Sequence, residues 1–225
     1  MQIVATTGQR LYPPDELKHS LEQVRDRFMS ELTDGIDGTT IKAGVIKIAS
    51  TGRTLTEAEE IRFRAAAQAS RATGVPIITH SSADIQGGIA QAEVFQDEGL
   101  DPSRVVIGHS NDTDEFAYLS SLAESGFTLG MDHMFWGDRP GAMLTSDARA
   151  DIVYKLCRAG HTQRIVLSND WVLGDFDRER VNPDGLLYTS RRTIPYLLGK
   201  GLTDADIRQM ALDNPKRLLT PLATA

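Results

Sequence analysis

Hydrophobic residues along the chain alternate between short continuous runs and longer stretches in which they recur every three or four positions. Short runs are typical of strands that are buried on both faces of a sheet, whereas the wider spacing is typical of amphipathic helices. The first widely spaced stretch forms one stripe of Leu17, Leu21, Val24, Phe28 and Leu32. The strand-like runs cover residues 2–7, 43–50, 75–79, 104–108, 127–131 and 164–168.

Residues that commonly begin and end helices bound the stretches between these runs. Thr54 and Glu57 have the spacing of a capping box, and Gly74 follows the stretch that they open. The pattern therefore predicts a helix between Thr54 and Gly74. Further helices are expected near residues 89–98, 112–125, 146–159, 190–201 and 203–219.

Strands that alternate with helices predict an α/β fold with a parallel sheet. No linker or low-complexity segment divides the sequence, so residues 1–225 are interpreted as a single domain. The alternation alone fits both a doubly wound sheet and a (β/α)8 barrel. The length of 225 residues lies within the range of about 200 to 250 residues or more that such barrels span, although towards its lower end.

Charge and composition exclude several classes of protein. The sequence has 24 Lys and Arg against 31 Asp and Glu, a formal net charge of −7, which argues against nucleic acid and anionic membrane surfaces as partners. No apolar run approaches the roughly 20 residues of a membrane span. The N-terminus has no signal-peptide pattern, which predicts a cytoplasmic location. Cys157, the single cysteine, is interpreted as a buried hydrophobic residue, with a nucleophile as the alternative.

Polar residues stand where successive strand-like runs end. Parallel α/β folds carry their chemistry at this end of the strands. Each residue also has a structural interpretation: a hydrogen-bonded histidine, a lysine paired with a carboxylate, or, for Asp170 and Asp112, a helix or loop cap. Their recurrence at equivalent points favours a barrel, because a closed ring brings all strand ends around one mouth. The strand-end residues are Lys47, His80, His109, Asp132, His133 and Asp170.

The residue types at these strand ends indicate a metal site. Imidazole together with carboxylate favours a transition metal such as zinc over magnesium or calcium. Burial would lower the pKa of Lys47, and its neutral amine can add carbon dioxide to form a carbamate, an anionic bridge between two metals. The sequence contains neither of the glycine-rich phosphate or dinucleotide motifs, GxxxxGKS/T and GxGxxG.

Several motifs, in this order, resemble the phosphotriesterase family of the amidohydrolase superfamily. They are GVIK at 44–47, GVPIITH at 74–80, IGHS at 107–110, DTD at 112–114, MDH at 131–133, SNDW at 168–171, VNPDG at 181–185 and NP at 214–215. The resemblance implies a (β/α)8 TIM-type barrel with two metals. Six βα units are expected here, because the sequence begins at what resembles the third strand of the family.

The resemblance also implies roles for individual residues. Carboxylated Lys47 would bridge the metals, His80 and His109 would bind the more exposed metal, and Asp170 would bind the buried one. A metal-activated water would attack a phosphotriester, lactone or related small-molecule ester. Asp170 would then pass the proton to His133, which Asp112 orients.

The resemblance leaves the substrate pocket less defined than the metal site. Arg10, Phe135, Trp136 and Trp171 are the candidate pocket residues, and for Phe135 and Trp136 packing within their loop is an equal alternative.

The sequence departs from the family at one metal site. The His-x-His pair that completes the buried metal site in the family does not occur in this sequence. The alternative function is therefore a non-catalytic, truncated member that binds at most one metal and acts as a scaffold or interaction protein. In six units, the strands at residues 2–7 and 164–168 would lack the partner strands of a closed barrel. Such exposed sheet edges predict a homodimer or other self-association.

Overall fold

The strands of this protein are short and parallel, and helices connect them. The computed structural model describes residues 3–8, 18–171 and 184–220. The chain forms two compact units, one of residues 1–107 with 216–225 and the other of residues 108–215. The single domain predicted for residues 1–225 stays a prediction.

Within the residues that the structure describes, the first unit contains four strands and three complete helices. Thr6 pairs with Val45, Ile46 with Ile77, and Ile77 with Val105, all in parallel register. The alternating elements are β1 (Thr6–Gly8), α1 (Leu21–Thr33), β2 (Val45–Ala49), α2 (Glu57–Thr73), β3 (Ile77–His80), α3 (Gly88–Asp97) and β4 (Val105–Ile107).

The second unit continues the same alternation. Its two strands pair in parallel, with Leu129 opposite Ile165. Its described elements are α4 (Phe116–Glu124), β5 (Thr128–Met131), α5 (Ser146–Arg158), β6 (Ile165–Leu167), α6 (Ile194–Gly199), α7 (Asp204–Arg208) and α8 (Asn214–Leu219), the last of which has residues in both units.

Burial explains why these segments fold as they do. In the first unit the side chains of Ile46, Ile48 and Ile77 are fully buried, as expected for strands covered on both faces. In the second unit Leu129 and Met131 are fully buried in the same way. The alternation of parallel strands with helices confirms the predicted α/β class.

Several predicted helix boundaries differ from the observed ones. The capping box of α2 is formed by Thr56 and Glu59, so the prediction of Thr54 and Glu57 was wrong, whereas Gly74 ends the helix in the left-handed conformation as predicted. Of the two predicted C-terminal helices, the first begins with a π-helical turn at Thr189–Thr193 and the second is interrupted by one at Gln209–Asp213, between α7 and α8.

The cysteine and the membrane prediction can be compared directly with the structure. Cys157 is buried on α5 with its Sγ 3.5 Å from Sδ of Met210, and burial raises the pKa of its thiol to about 11. This confirms its interpretation as a buried hydrophobic residue. In the described ranges, no helix combines the length and apolar character that a membrane crossing requires.

Candidate active site

Two polar residues of the second unit, each following a strand, have a strained backbone conformation. His109, after β4, has a φ of 57°, and Asp170, after β6, has a φ of 45°. Residues other than glycine rarely adopt this left-handed backbone conformation. Such strain persists only where surrounding contacts hold it, and it concentrates at functional sites. Both residues were selected from the sequence as metal ligands.

The side chain of His133, directly after β5, lies between two carboxylates. Its Nδ1 is 2.8 Å from Oδ2 of Asp112, and its Nε2 is 3.1 Å from Oδ2 of Asp170. The backbone N–H of His133 donates to Oδ1 of Asn111 at 3.2 Å. A buried imidazole with a carboxylate at each nitrogen can take up a proton at one edge while the other edge stays anchored.

Asp112 is in turn fixed by an arginine of α5. The guanidinium of Arg149 forms an ion pair with Oδ1 of Asp112, and it also donates to the carbonyl oxygen of Asn111 at 2.8 Å. Arg149 is only 6% exposed. The two oxygens of Asp112 therefore face Arg149 and His133 respectively, which fixes the orientation of the carboxylate.

The charges around Asp112 and His133 favour an ionised carboxylate beside a protonated imidazole. Burial alone would raise the pKa of Asp112, but the hydrogen bond and charge of His133 and the charge of Arg149 hold that pKa below its usual value. Burial alone would lower the pKa of His133, whereas hydrogen bonds to Asp112 and Asp170 raise it to about 9. The two carboxylates therefore stabilise the protonated form of the His133 ring.

A third carboxylate holds His109. Oδ1 of Asp132 lies 2.9 Å from Nδ1 of His109. The same oxygen accepts a hydrogen bond from the backbone N–H of His109 at 3.0 Å. Metal-binding histidines commonly have one ring nitrogen anchored by a carboxylate in this way. The contact orients the ring so that it would bind a metal through Nε2.

The donor set in this unit fits a divalent transition metal. Ligand atoms of His109, Asp132 and His133 all lie within 4.8 Å of one another. Imidazole with carboxylate is the chemistry that zinc and similar metals prefer. Within this cluster His109 is the residue with the geometry of a ligand, because Asp132 anchors it and both nitrogens of His133 face carboxylates.

The other two predicted ligands lie at neighbouring strand ends of the first unit. Lys47 is on β2, where its Nζ donates to the carbonyl oxygen of Thr79 at 2.8 Å. His80 ends β3, and its carbonyl oxygen accepts from Nε2 of the fully buried Gln91 at 2.9 Å. Gly8 approaches Lys47 so closely that a Cβ there would lie 2.1 Å from the lysine carbonyl oxygen.

The candidate pocket residues have different environments. Phe135 is fully buried, with its ring 5.6 Å from that of Trp171 and 6.3 Å from that of Tyr188. Trp136 is half-buried, and its ring stacks on His133 with 4.3 Å between centroids. Arg10 lies outside the described residues. The pocket role of these residues stays a prediction.

Comparison with known proteins identifies the family of this chain. The model of the phosphotriesterase family matches residues 1–219. The chain belongs to the phosphotriesterase family. This confirms the resemblance drawn from the motifs, and the alternating strands and helices agree with six units of the (β/α)8 barrel of that family.

Curated relatives of this phosphotriesterase-family chain are named for different activities. A phosphotriesterase homology protein of Mycobacterium tuberculosis is 38% identical over 206 residues, which cover 88% of this chain and 61% of the relative. An aryldialkylphosphatase of Saccharolobus solfataricus is 32% identical over 234 residues, with coverage of 98% and 72%. An N-acetyltaurine hydrolase of Dictyostelium discoideum is 30% identical over 210 residues, with coverage of 88% and 55%. The chain thus spans about 61% of the length of the mycobacterial relative.

Two residues of the candidate site were not predicted from the sequence. Asp132 stood at a strand end in the sequence but had no assigned role, and it anchors His109. Arg149 was read as part of an amphipathic helix. Its signal was its position on the buried stripe of α5, where Ile152, Val153 and Leu156 are fully buried. An arginine on an apolar stripe requires a buried anionic or carbonyl partner.

Proposed function

We propose that this protein is a metal-dependent hydrolase, in which a metal-activated water attacks a phosphotriester, a lactone or a related ester. The observation that carries the proposal is the chain of contacts from Asp112 through His133 to Asp170, because it has the form of a proton relay. The names of two relatives, aryldialkylphosphatase and N-acetyltaurine hydrolase, support hydrolytic chemistry.

The proposed metal ligands are Lys47, His80, His109 and Asp170, with carbon dioxide added to Lys47 as a carbamate. Zinc or a similar divalent metal held there would lower the pKa of bound water and polarise the substrate oxygen. The carboxylate that anchors His109 and the mixture of imidazole and carboxylate donors support this assignment.

The residues of the chain itself would then move the proton. Asp170 Oδ2 would take the proton from the attacking water and transfer it to Nε2 of His133, 3.1 Å away. Asp112 would keep Nδ1 of the ring oriented and would stabilise the imidazolium while the proton resides there. The transfer from Asp170 to His133 would follow a contact that already exists, so it needs little reorganisation.

The substrate is proposed as a small molecule that contacts Arg10, Phe135 and Trp171. A panel of paraoxon, an aryl ester, a lactone and an N-acyl amide separates the substrate classes. The amide is included because one relative is named as an N-acetyltaurine hydrolase.

The test combines metal content with hydrolysis. We expect zinc-loaded protein to hydrolyse at least one substrate of the panel, and His109→Ala to lose both zinc and activity. His161→Ala is the matched control, since the ring of His161 contacts Ser120, which has no proposed role in the site. Equal zinc content in both variants would contradict the role of His109 as a ligand.

The absence of His-x-His from this sequence favours a second candidate function. In that case the protein would bind at most one metal and act as a non-catalytic scaffold. The same experiment separates the two functions. One zinc per chain with no hydrolysis of the panel supports the scaffold, whereas two metals with sustained turnover exclude it.

A further inference from the structure

Four side chains of the second unit form a continuous stack at the proposed relay. The rings of His109 and His133 are nearly parallel, with 4.0 Å between centroids and an interplanar angle of 11°. Trp136 lies on the other side of His133 at 4.3 Å and 26°. The guanidinium carbon of Arg139 lies 3.4 Å from the centroid of the Trp136 ring. The relay imidazole thus has an aromatic ring on each face.

The stack restrains the one motion that the carboxylates leave open. Asp112 and Asp170 hold the two edges of the His133 ring. The last side-chain torsion of histidine is broad, so a ring held only at its edges can still tilt. Rings packed on both faces oppose that tilt and keep the nitrogens directed at their carboxylates.

The indole ring is oriented by its faces rather than by its N–H group. Nε1 of Trp136 is buried and has no hydrogen-bond acceptor within the described part of the chain. A buried indole N–H normally finds a partner. Instead, one face of the Trp136 ring packs on His133 and the other contacts the guanidinium of Arg139.

The charges on either side of the indole suit this position. The face of an indole ring is electron-rich and attracts cations. Arg139 supplies a permanent cation on one face. On the other face, the imidazole becomes a cation whenever it carries the transferred proton, so the indole favours the same state that Asp112 stabilises.

We propose that Trp136, capped by Arg139, is a positioning residue that holds the His133 ring in the orientation required for proton transfer. This inference rests on the proposed hydrolytic function for its catalytic consequence. The sequence alone had left Trp136 between a pocket role and loop packing. The stack assigns it a role that acts through His133.

Fluorescence tests the stack without any need for activity. The sequence has two tryptophans, so Trp171→Phe leaves Trp136 as the only reporter. A histidine ring in contact with indole quenches its emission. We expect His133→Gln in this background to increase the emission of Trp136, while His161→Gln leaves it unchanged. Equal emission with and without the His133 ring would overturn the stack.

Proton NMR tests whether the stack positions His133. The ring N–H signal of His133, assigned by its loss in His133→Gln, should persist in Trp136→Phe, which keeps a flat ring. It should exchange with water and disappear in Trp136→Leu. Persistence in Trp136→Leu would overturn the positioning role, whatever the activity of the protein.

Kinetics test the catalytic consequence. We expect Trp136→Leu to lower kcat about tenfold with little change in KM, since misplacement of a catalytic group acts on the reaction step. Trp136→Phe should recover most of kcat. Lys200→Met, which removes a cation 5.2 Å from the Tyr196 ring centroid elsewhere in the unit, is the control. No hydrolysis by the unmodified protein would refute the proposed function, whereas a parallel rise in KM would refute positioning.

Discussion

Oδ2 of Asp112 lies 2.8 Å from Nδ1 of His133, while the other oxygen of the same carboxylate is paired with Arg149. The carboxylate is therefore shared between a guanidinium that cannot release its proton and an imidazole that can. This asymmetry fixes the orientation of the imidazole and leaves its opposite edge, facing Asp170, as the place where a proton can enter.

Asp112→Asn should slow hydrolysis in the fraction of the variant that is folded. The amide has a similar shape but carries no charge, so it cannot stabilise an imidazolium at His133. General acid–base steps are worth about 100-fold or more in rate, and we expect kcat to fall by about that factor. Asp114→Asn is the matched control, since Asp114 is exposed two positions further on. A kcat equal to that of the control would contradict the relay.

Arg149→Met should destabilise the fold as well as the site. Removal of the buried guanidinium leaves the carboxylate of Asp112 and the carbonyl oxygen of Asn111 without their donor. Breaking a buried pair on one side typically costs about 3 kcal/mol or more, which urea unfolding would measure. The control is Arg25→Met at an exposed ion pair with Asp26, which should cost less than about 1 kcal/mol. Similar losses in both variants would contradict a structural role for Arg149.

The sequence predicted the order of strands and helices because burial on both faces of parallel strands leaves a clear periodic signal. It also located His109, His133 and Asp170, since parallel folds carry their chemistry at strand ends. Exact helix boundaries were less predictable: two threonines with suitable glutamates compete to cap α2, and the structure uses Thr56 rather than Thr54.

The supporting residues of the site could not be predicted from local patterns. Arg149 lies on a helix 37 positions from its partner Asp112, and helical periodicity assigns only a buried face to it. Trp136 stacks on His133 from a short 3-10 segment, Met134–Asp138, whose conformation has no simple sequence signal. Contacts of this kind depend on how separate elements pack.

The stability of the metal-free protein should depend on pH through His133. Its pKa is raised from 6.5 to about 9, so the folded state binds this proton more tightly than the unfolded state does. The resulting stabilisation is fully present below pH 6.5 and is lost as the pH rises through about 9. The difference between the two pKa values corresponds to about 3 kcal/mol.

Urea unfolding in the presence of a chelator measures this contribution. The stability of the unmodified protein relative to His133→Gln should be greater at about pH 6 than at about pH 10. The burial of His133 makes screening by solvent a small correction. An advantage that stays constant between the two pH values would show that the carboxylates do not favour the protonated ring.

Self-association should arise at the first strand. β1 is the edge of the sheet in the first unit, and the residues that lead into it expose apolar side chains, Ile3 by 85% and Val4 by 46%. These residues also border an apolar cavity of about 720 Å³, lined in part by Met29 and Val75. An exposed edge with apolar flanks is a template for pairing with another strand, and charged residues block such pairing.

Ile3→Lys tests this edge directly. Sedimentation over a range of concentrations should show association of the unmodified protein and a monomer for Ile3→Lys. Met143→Lys is the matched control, because Met143 belongs to the second unit and is 81% exposed. It should associate as the unmodified protein does. A monomeric unmodified protein at every concentration would contradict pairing at β1, and loss of association in both variants would show that added charge rather than the edge is responsible.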